Sequence, residues 1–319
     1  MKRIVGLFAA AALAALPAAS GGQAPAQALK EIRVSYVRSP FNLPLIVAAR
    51  RGMLKDAFAE KGVALRFLEI DSGAKQAEAM AAESLDIASV INTTSVILAA
   101  AGGNGLKIVA GFSRPAGLFA IVVRDPSIHA IADLKGKRVA GPKGTVLHQL
   151  LAAGLARAGL GLGDVDFLQM DIPAAGTALI SGQVDAALLA ASSVLAAEAA
   201  GARVLATAEG YVRPQLVVAA RPAFLRDHPE LVALYLSVLD SARAWMRAHE
   251  EEALAMGAKE EGIGVEEARA LAMASHFTAS IGPDEVEAMA EDVRFMLGAG
   301  MLSAAVDPAT LLGPGLPRR

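Results

Sequence analysis

Short apolar segments alternate with helical segments along residues 31–220, and this alternation limits the folds open to the chain more than any other feature. Ile32, Val34 and Tyr36 alternate with polar residues as a first strand, and a helix follows from Pro44. Regular alternation of strands and helices predicts an α/β fold, with a mainly parallel sheet covered by helices on both faces. Ligands of such folds bind beyond the carboxyl ends of the strands.

The same pattern predicts the bounds of the later elements. Strands are expected at Val63–Ile70, Asp86–Ile91, Lys107–Phe112, Phe119–Val123, Arg138–Ala140, Asp166–Met170, Val184–Leu189, Arg203–Ala206 and Gln215–Ala220. From Pro222 onward the pattern is helical, with helices expected at Pro229–Met256, Val265–Ser275 and Asp284–Leu297. We also expect a helix at Ala174–Ser181, between the predicted strands Asp166–Met170 and Val184–Leu189.

An internal repeat indicates that the chain has two similar halves. Residues 79–102 align with residues 178–201 without a gap, at a constant offset of 99 positions. Asp86 then matches Asp185, and Gly102 matches Gly201. Alanine-rich helices also align by chance, which is the alternative explanation. If the repeat is structural, it predicts two lobes, each a doubly wound α/β unit, that face each other across a ligand cleft.

Four predicted strand ends share one design, in which small polar residues precede a helix. They are Asp71-Ser72-Gly73, Asn92-Thr93-Thr94, Gly144-Thr145-Val146 and Ala191-Ser192-Ser193. A helix start offers free N–H groups and roughly half a positive charge, which suit an anion. Each turn alone is more typical of an ordinary helix cap, because caps are common. Four of them at the ligand edge of the fold predict a site for a small oxyanion such as a sulfonate.

Few other side chains are candidates for ligand binding, metal binding or catalysis. Arg38 and Arg114 are candidates for pairing with an anionic ligand head, although a hinge salt bridge or a solvated side chain explains Arg114 better. The five histidines lack metal-ligand spacing, so we predict no metal site, and we place His148 at the surface. No catalytic triad, phosphate-binding loop or dinucleotide fingerprint occurs in the required context.

The amino terminus reads as a secretory signal peptide. A basic tip at Lys2 and Arg3 precedes a short apolar run, and Ala26-Gln27-Ala28 has the small-x-small form of a cleavage site. A membrane anchor is the alternative, but Pro17 and the polar stretch after it argue against a span of about 20 apolar residues. We therefore predict export of the chain to the periplasm after removal of residues 1–28.

The composition of the chain argues against several classes of partner and site. The net charge of −2 and the lack of a basic run argue against nucleic acid as a partner. The absence of cysteine excludes disulfides, thiol catalysis and thiolate metal sites. We expect an exported monomer without a cofactor.

Several stretches resemble the solute-binding proteins of ABC importers in the nitrate/sulfonate/taurine group. They include SYVRSPFNLPLIVAARRGML, IDSGAKQAEAMAAESLDIA, LKIVAGFS, DPSIHAIADLKGKRVAGPKGT and FLRDHPELVALYLSVLDSARAWMRAH. The resemblance implies a type 2 periplasmic-binding fold. It places one lobe at residues 29–115 plus 216–319, the other at residues 116–215, and crossovers near Arg114–Leu118 and Arg213–Leu216.

The resemblance also assigns the ligand contacts by position. The implied residues are Ser39, Phe41, Asn42, Ser72, Gly73, Asn92, Thr93, Thr94, Gly144, Thr145, Val146, Ala191 and Ser192. Two departures from the family pattern leave taurine-like and ordinary sulfonate specificity open. Ala190-Ala191-Ser192 stands where many sulfonate binders have Trp-Asp-Pro, and Asn92-Thr93-Thr94-Ser95 stands where Gly-Asp-x-Pro is frequent.

The function implied is that of a periplasmic receptor that delivers a small, anionic organic solute to an ABC permease and its ATPase, with no chemistry on the ligand. Two alternatives stay open. One is an enzyme on the same fold, like the thiamine-pyrimidine synthases or the menaquinone-pathway lyases. The other is a ligand-sensing partner of a signalling receptor.

Overall fold

The computed structural model describes residues 29–316, and the predicted signal peptide lies outside them. Ten strands form within this range. They are β1 (Glu31–Tyr36), β2 (Ala64–Glu69), β3 (Ile87–Asn92), β4 (Lys107–Ser113), β5 (Phe119–Val123), β6 (Arg138–Gly141), β7 (Asp166–Gln169), β8 (Ala186–Ala190), β9 (Arg203–Thr207) and β10 (Leu216–Ala220).

The helices cover the faces of the sheets and form the carboxyl-terminal part of the described chain. They are α1 (Leu43–Arg50), α2 (Met53–Ala59), α3 (Gly73–Ala81), α4 (Thr93–Ala101), α5 (Val146–Arg157), α6 (Ile172–Ile180), α7 (Ser192–Ala199), α8 (Pro222–Asp227), α9 (Pro229–Ala248), α10 (Glu250–Glu261), α11 (Val265–Ser275) and α12 (Pro283–Gly298).

The strands make two five-stranded sheets with the same topology. The first has the order β2-β1-β3-β10-β4 and the second the order β7-β6-β8-β5-β9. Four strands of each sheet run in the same direction, as the alternating pattern predicts, whereas β10 in the first sheet and β5 in the second run antiparallel to both of their neighbours. These two are the strands that the chain enters after crossing from the other half. The structure is therefore a two-lobed α/β fold with mixed sheets.

The internal repeat is confirmed at the level of secondary structure. The series α3-β3-α4 of the first lobe and α6-β8-α7 of the second start at Gly73 and Ile172, again 99 positions apart. The strands β3 and β8 also take the same place in their sheets. The residue boundaries of the two lobes at 115/116 and 215/216 stay a prediction.

An arginine–aspartate pair recurs at the same place in both sheets. The Arg33 backbone N–H donates to Asp86 Oδ2 at 2.9 Å, and Arg33 Nη2 lies 2.9 Å from Asp86 Oδ1. In the second sheet the Arg138 N–H donates to Asp185 Oδ2 at 2.8 Å, and Nη2 lies 3.2 Å from Oδ1. Each carboxylate thus fixes the strand β1 or β6 to the start of β3 or β8.

Most predicted elements form within a few residues of their expected bounds, but the prediction of one continuous helix over Pro229–Met256 is wrong. It divides at His249, whose φ of −136° and ψ of 52° are not helical. The acidic residues Glu250, Glu251 and Glu252 then occupy the first turn of α10, where the helix dipole favours negative charge. The helix predicted from Ala174 begins earlier, because proline is tolerated in a first helical turn.

Between Leu29 and Leu316, no helix combines the length and the apolarity needed to cross a membrane.

Candidate functional site

A cavity lies between the two lobes at the carboxyl ends of β1, β3 and β6. Its space is ≈ 520 Å³ when the open mouth is included. Its polar lining consists of Ser39, Asp71, Ser72, Asn92, Thr145 and Asp171. The first four belong to the first lobe and the last two to the second, so the site exists only where the lobes meet.

The starts of three helices border the cavity. Gly73 opens α3, Val146 opens α5 and Ile172 opens α6, and all three line the cavity. The first backbone N–H groups of a helix have no partner within the helix. A side chain at residue 73 would displace its neighbours, because a Cβ there would lie 2.6 Å from Asn92 Nδ2. This close approach brings the first turn of α3 onto the start of α4.

Asn92 is a cap residue and a free donor at once. Its Oδ1 accepts hydrogen bonds from the backbone N–H and the hydroxyl of Ser95, both at 2.9 Å, which confirms the cap predicted at this strand end. Its Nδ2 donates to no atom of residues 29–316 in the structure. Since Asn92 lines the cavity, this amide can donate to a ligand.

The hydroxyls at the other predicted strand ends do not cap their helices. Thr145 Oγ1 donates to the Pro142 carbonyl at 2.8 Å, so only backbone N–H groups are left for a ligand at this turn. Ser72 makes no cap hydrogen bond. The cap position of α7 belongs to Ala191, and Ser192 instead donates to Glu261 Oε2 at 2.5 Å. Burial raises the pKa of the Glu261 carboxyl.

Six of the predicted contact residues line the cavity: Ser39, Ser72, Gly73, Asn92, Thr145 and Val146. The other seven do not: Phe41, Asn42, Thr93, Thr94, Gly144, Ala191 and Ser192. Packing accounts for the first two, since Phe41 contacts Gly257 of α10 and Asn42 Nδ2 donates to the Val37 carbonyl at 2.9 Å. Thr93 and Ala191 are buried.

Thr94 and Gly144 belong to contacts between the lobes rather than to the cavity. Ser95 Oγ of α4 donates to the Gly144 carbonyl at 2.7 Å, and Thr94 Oγ1 donates to Gln149 Oε1 at 2.6 Å. Lys75 of α3 and Asp171 of the second lobe form an ion pair of 2.8 Å across the cleft mouth. These contacts show that the lobes are closed on each other.

Among residues 29–316, no lysine, arginine or histidine side chain lines the cavity. Arg38 pairs with Glu69 at 2.8 Å and Arg114 with Glu285 at 2.8 Å, so neither reaches the site. Asp171 is balanced by Lys75. A ligand charge would therefore be met by neutral donors and helix starts, not by a cationic side chain.

Sequence reasoning missed the apolar lining and one acid. The missed residues are Val37, Val90, Phe119, Pro142, Leu147, Asp171, Ile172 and Leu216. One signal was present, because extending the repeat backward by its offset of 99 places Asp171 opposite Ser72. Phe119 and Leu216 are the first residues of the strands that follow the two crossovers.

His148 is not at the surface, so that expectation is wrong. It is 6% exposed, and its ring packs against Phe167 with centroids 4.9 Å apart. Burial, reinforced by Lys143, lowers the pKa of His148 to about 4, and the ring is neutral near pH 7. Within residues 29–316, no group of three or more His, Asp or Glu side chains is placed to hold a metal ion.

Comparison with known proteins agrees with this architecture. Residues 40–253 match the NMT1/THI5-like family. A protein of Bacillus subtilis (strain 168), whose name places it among the aliphatic sulfonates-binding proteins, is 30% identical over 258 residues; these cover 79% of this chain and 76% of the relative.

Solved structures share the fold. The alkanesulfonate-binding protein SsuA from Xanthomonas axonopodis pv. citri, bound to MOPS, superposes with a TM-score of 0.80 at 21% identity, over 90% of this chain and 99% of that one. The ligand-binding component of an ABC-type import system from Staphylococcus aureus, with zinc bound, gives 0.71 at 12% identity, over 91% and 100%. The match over residues 40–253 and the identity to the Bacillus relative show that the chain belongs to the NMT1/THI5-like family.

Proposed function

We propose that the protein is the periplasmic receptor of an ABC importer and that it binds a sulfonate with an apolar body between its lobes. The observation that carries this proposal is the cavity between the lobes, which is lined by helix starts, neutral side-chain donors and apolar residues, together with Asp71 and Asp171. The lobes would close over the ligand by rotation about the two crossover segments, as in other two-lobed binding proteins. The closed protein would then dock on a permease with its ATPase.

Neutral donors suit a sulfonate head. The N–H groups that open α3 and α5 and the Asn92 amide reach the same space. A sulfonate offers three acceptor oxygens with one delocalised charge, and helix starts stabilise such a charge without a lysine or arginine. Asp71 and Asp171 also line the outer pocket beside the cavity.

The walls favour an apolar body over an amine. Val37, Val90, Phe119, Val146 and Leu216 surround the space, and burying an apolar ligand group against them is favourable by roughly 25 cal/mol per Å². An ammonium group such as that of taurine would need an unpaired acid. Asp171 already pairs with Lys75, so Asp71, whose Oδ1 accepts the Arg38 backbone N–H at 2.8 Å, is the acid of the cavity that is left for such a group.

Two features of the site support binding without catalysis. The chain has no cysteine, and no histidine or lysine of the described part of the chain lines the cavity. The hydroxyl of Thr145 donates to a backbone carbonyl rather than to a base. Nucleophilic catalysis needs a nucleophile activated by such a base.

A thermal-shift panel on the mature protein tests the proposal. The panel contains 1-hexanesulfonate, ethanesulfonate, taurine, nitrate and hexanoate. A ligand present at 100 times its Kd should add about 2.7 kcal/mol of stability. We expect the largest shift with 1-hexanesulfonate and a smaller one with taurine.

A matched pair of glycine variants tests the position of the site. Gly73→Ala is expected to weaken 1-hexanesulfonate binding about tenfold, because the new Cβ would lie 2.6 Å from Asn92 Nδ2. Gly176→Ala in α6 is the control, since its Cβ would meet only Leu189 at an ordinary 3.6 Å. The absence of a thermal shift with 1-hexanesulfonate and with ethanesulfonate would refute the proposed ligand class. Equal affinities of the Gly73→Ala and Gly176→Ala proteins would refute the proposed position of the site.

A further inference from the structure

The side chain of Gln149 joins three elements across the lobe interface. It lies on α5 of the second lobe and is 1% exposed. Its Oε1 accepts a hydrogen bond of 2.6 Å from Thr94 Oγ1, which belongs to α4 of the first lobe. Its Nε2 donates a hydrogen bond of 2.6 Å to Asp292 Oδ1, which belongs to α12 of the first lobe.

We propose that Gln149 is a positioning residue for lobe closure, whose amide holds α5 of the second lobe on α4 and α12 of the first. The role in trapping a ligand rests on the proposed function, whereas the role in closure does not. A carboxamide has an acceptor and a donor, which is what a hydroxyl on one side and a carboxylate on the other require. If one partner is lost, closure buries polar atoms without a hydrogen bond, and that penalty opposes the closed state.

The environment of Asp292 makes closure sensitive to pH. Burial is the main cause that raises the pKa of its carboxyl to about 6, and the nearby Glu291 adds to the effect. Gln149 and Arg213 act in the opposite direction. The helix α4 contributes no charged side chain.

On α5, His148 packs against Phe167 and Arg157 lies over the Tyr211 ring. Opening the lobes would hydrate Asp292 and return its pKa toward the ordinary value. Closure therefore takes up a proton. It is favoured at acid pH and weakened as the pH rises through about 6.

A disulfide trap can measure closure without a ligand. The chain has no cysteine, so introduced thiols are the only ones present. A Cβ built at Gly144 lies 3.6 Å from the Cβ of Ala74, within the roughly 3.5–4.5 Å that a disulfide needs. The φ of 72° at Gly144 strains any side chain there, but every variant shares this parent, so the strain cancels in the ratios of their rates. The parent for all variants carries Ala74→Cys and Gly144→Cys. The rate at which a mild oxidant cross-links it reports how often the lobes close.

Three substitutions in this parent separate the network from general effects. Gln149→Met keeps the length of the side chain and loses both hydrogen bonds, and we expect cross-linking to slow about tenfold. Thr94→Val removes one bond from the first lobe, so a defect in α5 cannot explain its expected slowing of about threefold. Gln183→Met, at an exposed turn of the second lobe, is the matched control and should not change the rate.

Asp292→Asn tests the role of the carboxylate. The ratio of variant rate to parent rate cancels the pH dependence of thiol chemistry, and it should rise roughly tenfold from about pH 5 to about pH 8. A Gln149→Met rate equal to that of the parent, or a flat ratio for Asp292→Asn, would overturn the proposal. Since these rates need no ligand, failure of 1-hexanesulfonate to bind would count against the proposed function alone.

Discussion

The two lobes differ most where their equivalent strands β3 and β8 pass into helices. In the first lobe, Asn92 caps α4 with its Oδ1 and keeps its Nδ2 for the cavity. In the second, Ala191 takes that position with a φ of 47° and no side-chain cap, and Ser192 bonds to Glu261 of the first lobe. The first junction therefore leaves a side-chain donor for the cavity at its cap position, whereas the second has no polar side chain at that position.

The repeated arginine–aspartate pair also differs between the lobes, because the aspartate of the first lobe is more buried and has more arginine partners. The Asp86 side chain is 2% exposed and has two arginine partners, Arg33 and Arg221. The Asp185 side chain is 29% exposed and has Arg138 as its partner, whose hydrogen bond lowers the pKa of the carboxyl. The first lobe, with its discontinuous chain, thus uses the carboxylate to join β1, β3 and the segment after β10.

The largest expected effect is at this pair. Asp86→Ala leaves two arginines without their buried counter-charge and is expected to lower the free energy of unfolding by about 3–5 kcal/mol. Asp185→Ala, the matched change in the second lobe, is expected to cost about 1 kcal/mol because its pair is partly solvated. Urea unfolding followed by circular dichroism measures both. Equal costs would remove the proposed difference between the lobes.

A second expectation concerns the buried histidine. His148 is the third residue of α5, and the third residue of α1 in the first lobe is Leu45. Since the pKa of His148 is lowered to about 4 in the fold, unfolding takes up a proton in moderately acid solution. The free energy of unfolding should fall by about 2 kcal/mol between roughly pH 7 and pH 5 from this group.

His148→Leu copies the first lobe and should remove that part of the pH slope. The comparison requires urea unfolding of both proteins at each pH. Other titrating groups contribute to both curves and cancel in the difference. Parallel curves would show that His148 does not titrate in this way.

Substitutions at the two strand-to-helix junctions should change the free energy of unfolding in opposite directions. Ala191→Gly relieves the positive φ and is expected to raise the free energy of unfolding by about 1 kcal/mol. Asn92→Ala gives the first lobe the residue of the second and is expected to lower it by about 1 kcal/mol through loss of the cap. Thermal denaturation reports both signs, and a destabilised Ala191→Gly protein would contradict the account.

The smallest effect is expected at the cleft mouth. Lys75→Met removes the exposed pair with Asp171 and should weaken 1-hexanesulfonate binding about twofold at low salt, with less effect at high salt. Lys55→Met, on an exposed position of α2, is the control. Titration calorimetry at two salt concentrations provides the measurement. A loss that does not depend on salt would mean that Lys75 acts by packing.

The fold was predictable because the signals that define it are local. Alternating segments gave the strand Phe119–Val123 and the helix Val265–Ser275 with their observed bounds. The antiparallel strands β5 and β10 were not predictable from periodicity, because direction within a sheet depends on where the chain enters it. The break at His249 was also missed, since no glycine or proline marks it.

The site was predictable in its helix starts and not in its side-chain roles. Caps and the repeat pointed to Gly73, Asn92 and Val146, which line the cavity. Hydroxyls misled the prediction, because the partner of a hydroxyl is set by tertiary contacts. The Thr145 hydroxyl donates within its own turn, and the Ser192 hydroxyl donates to a residue 69 positions away.

The position of β10 has a consequence for assembly of the newly made chain. This strand lies between β3 and β4, although all of the second sheet precedes it in the sequence. The amino-terminal sheet must therefore wait with two open edges until residue 220 is available, while its partner can complete itself from one continuous segment. Fragments that stop before β10 are expected to aggregate through these edges. Because the chain is made from its amino terminus, the second sheet, β5–β9, can fold before the first sheet is complete.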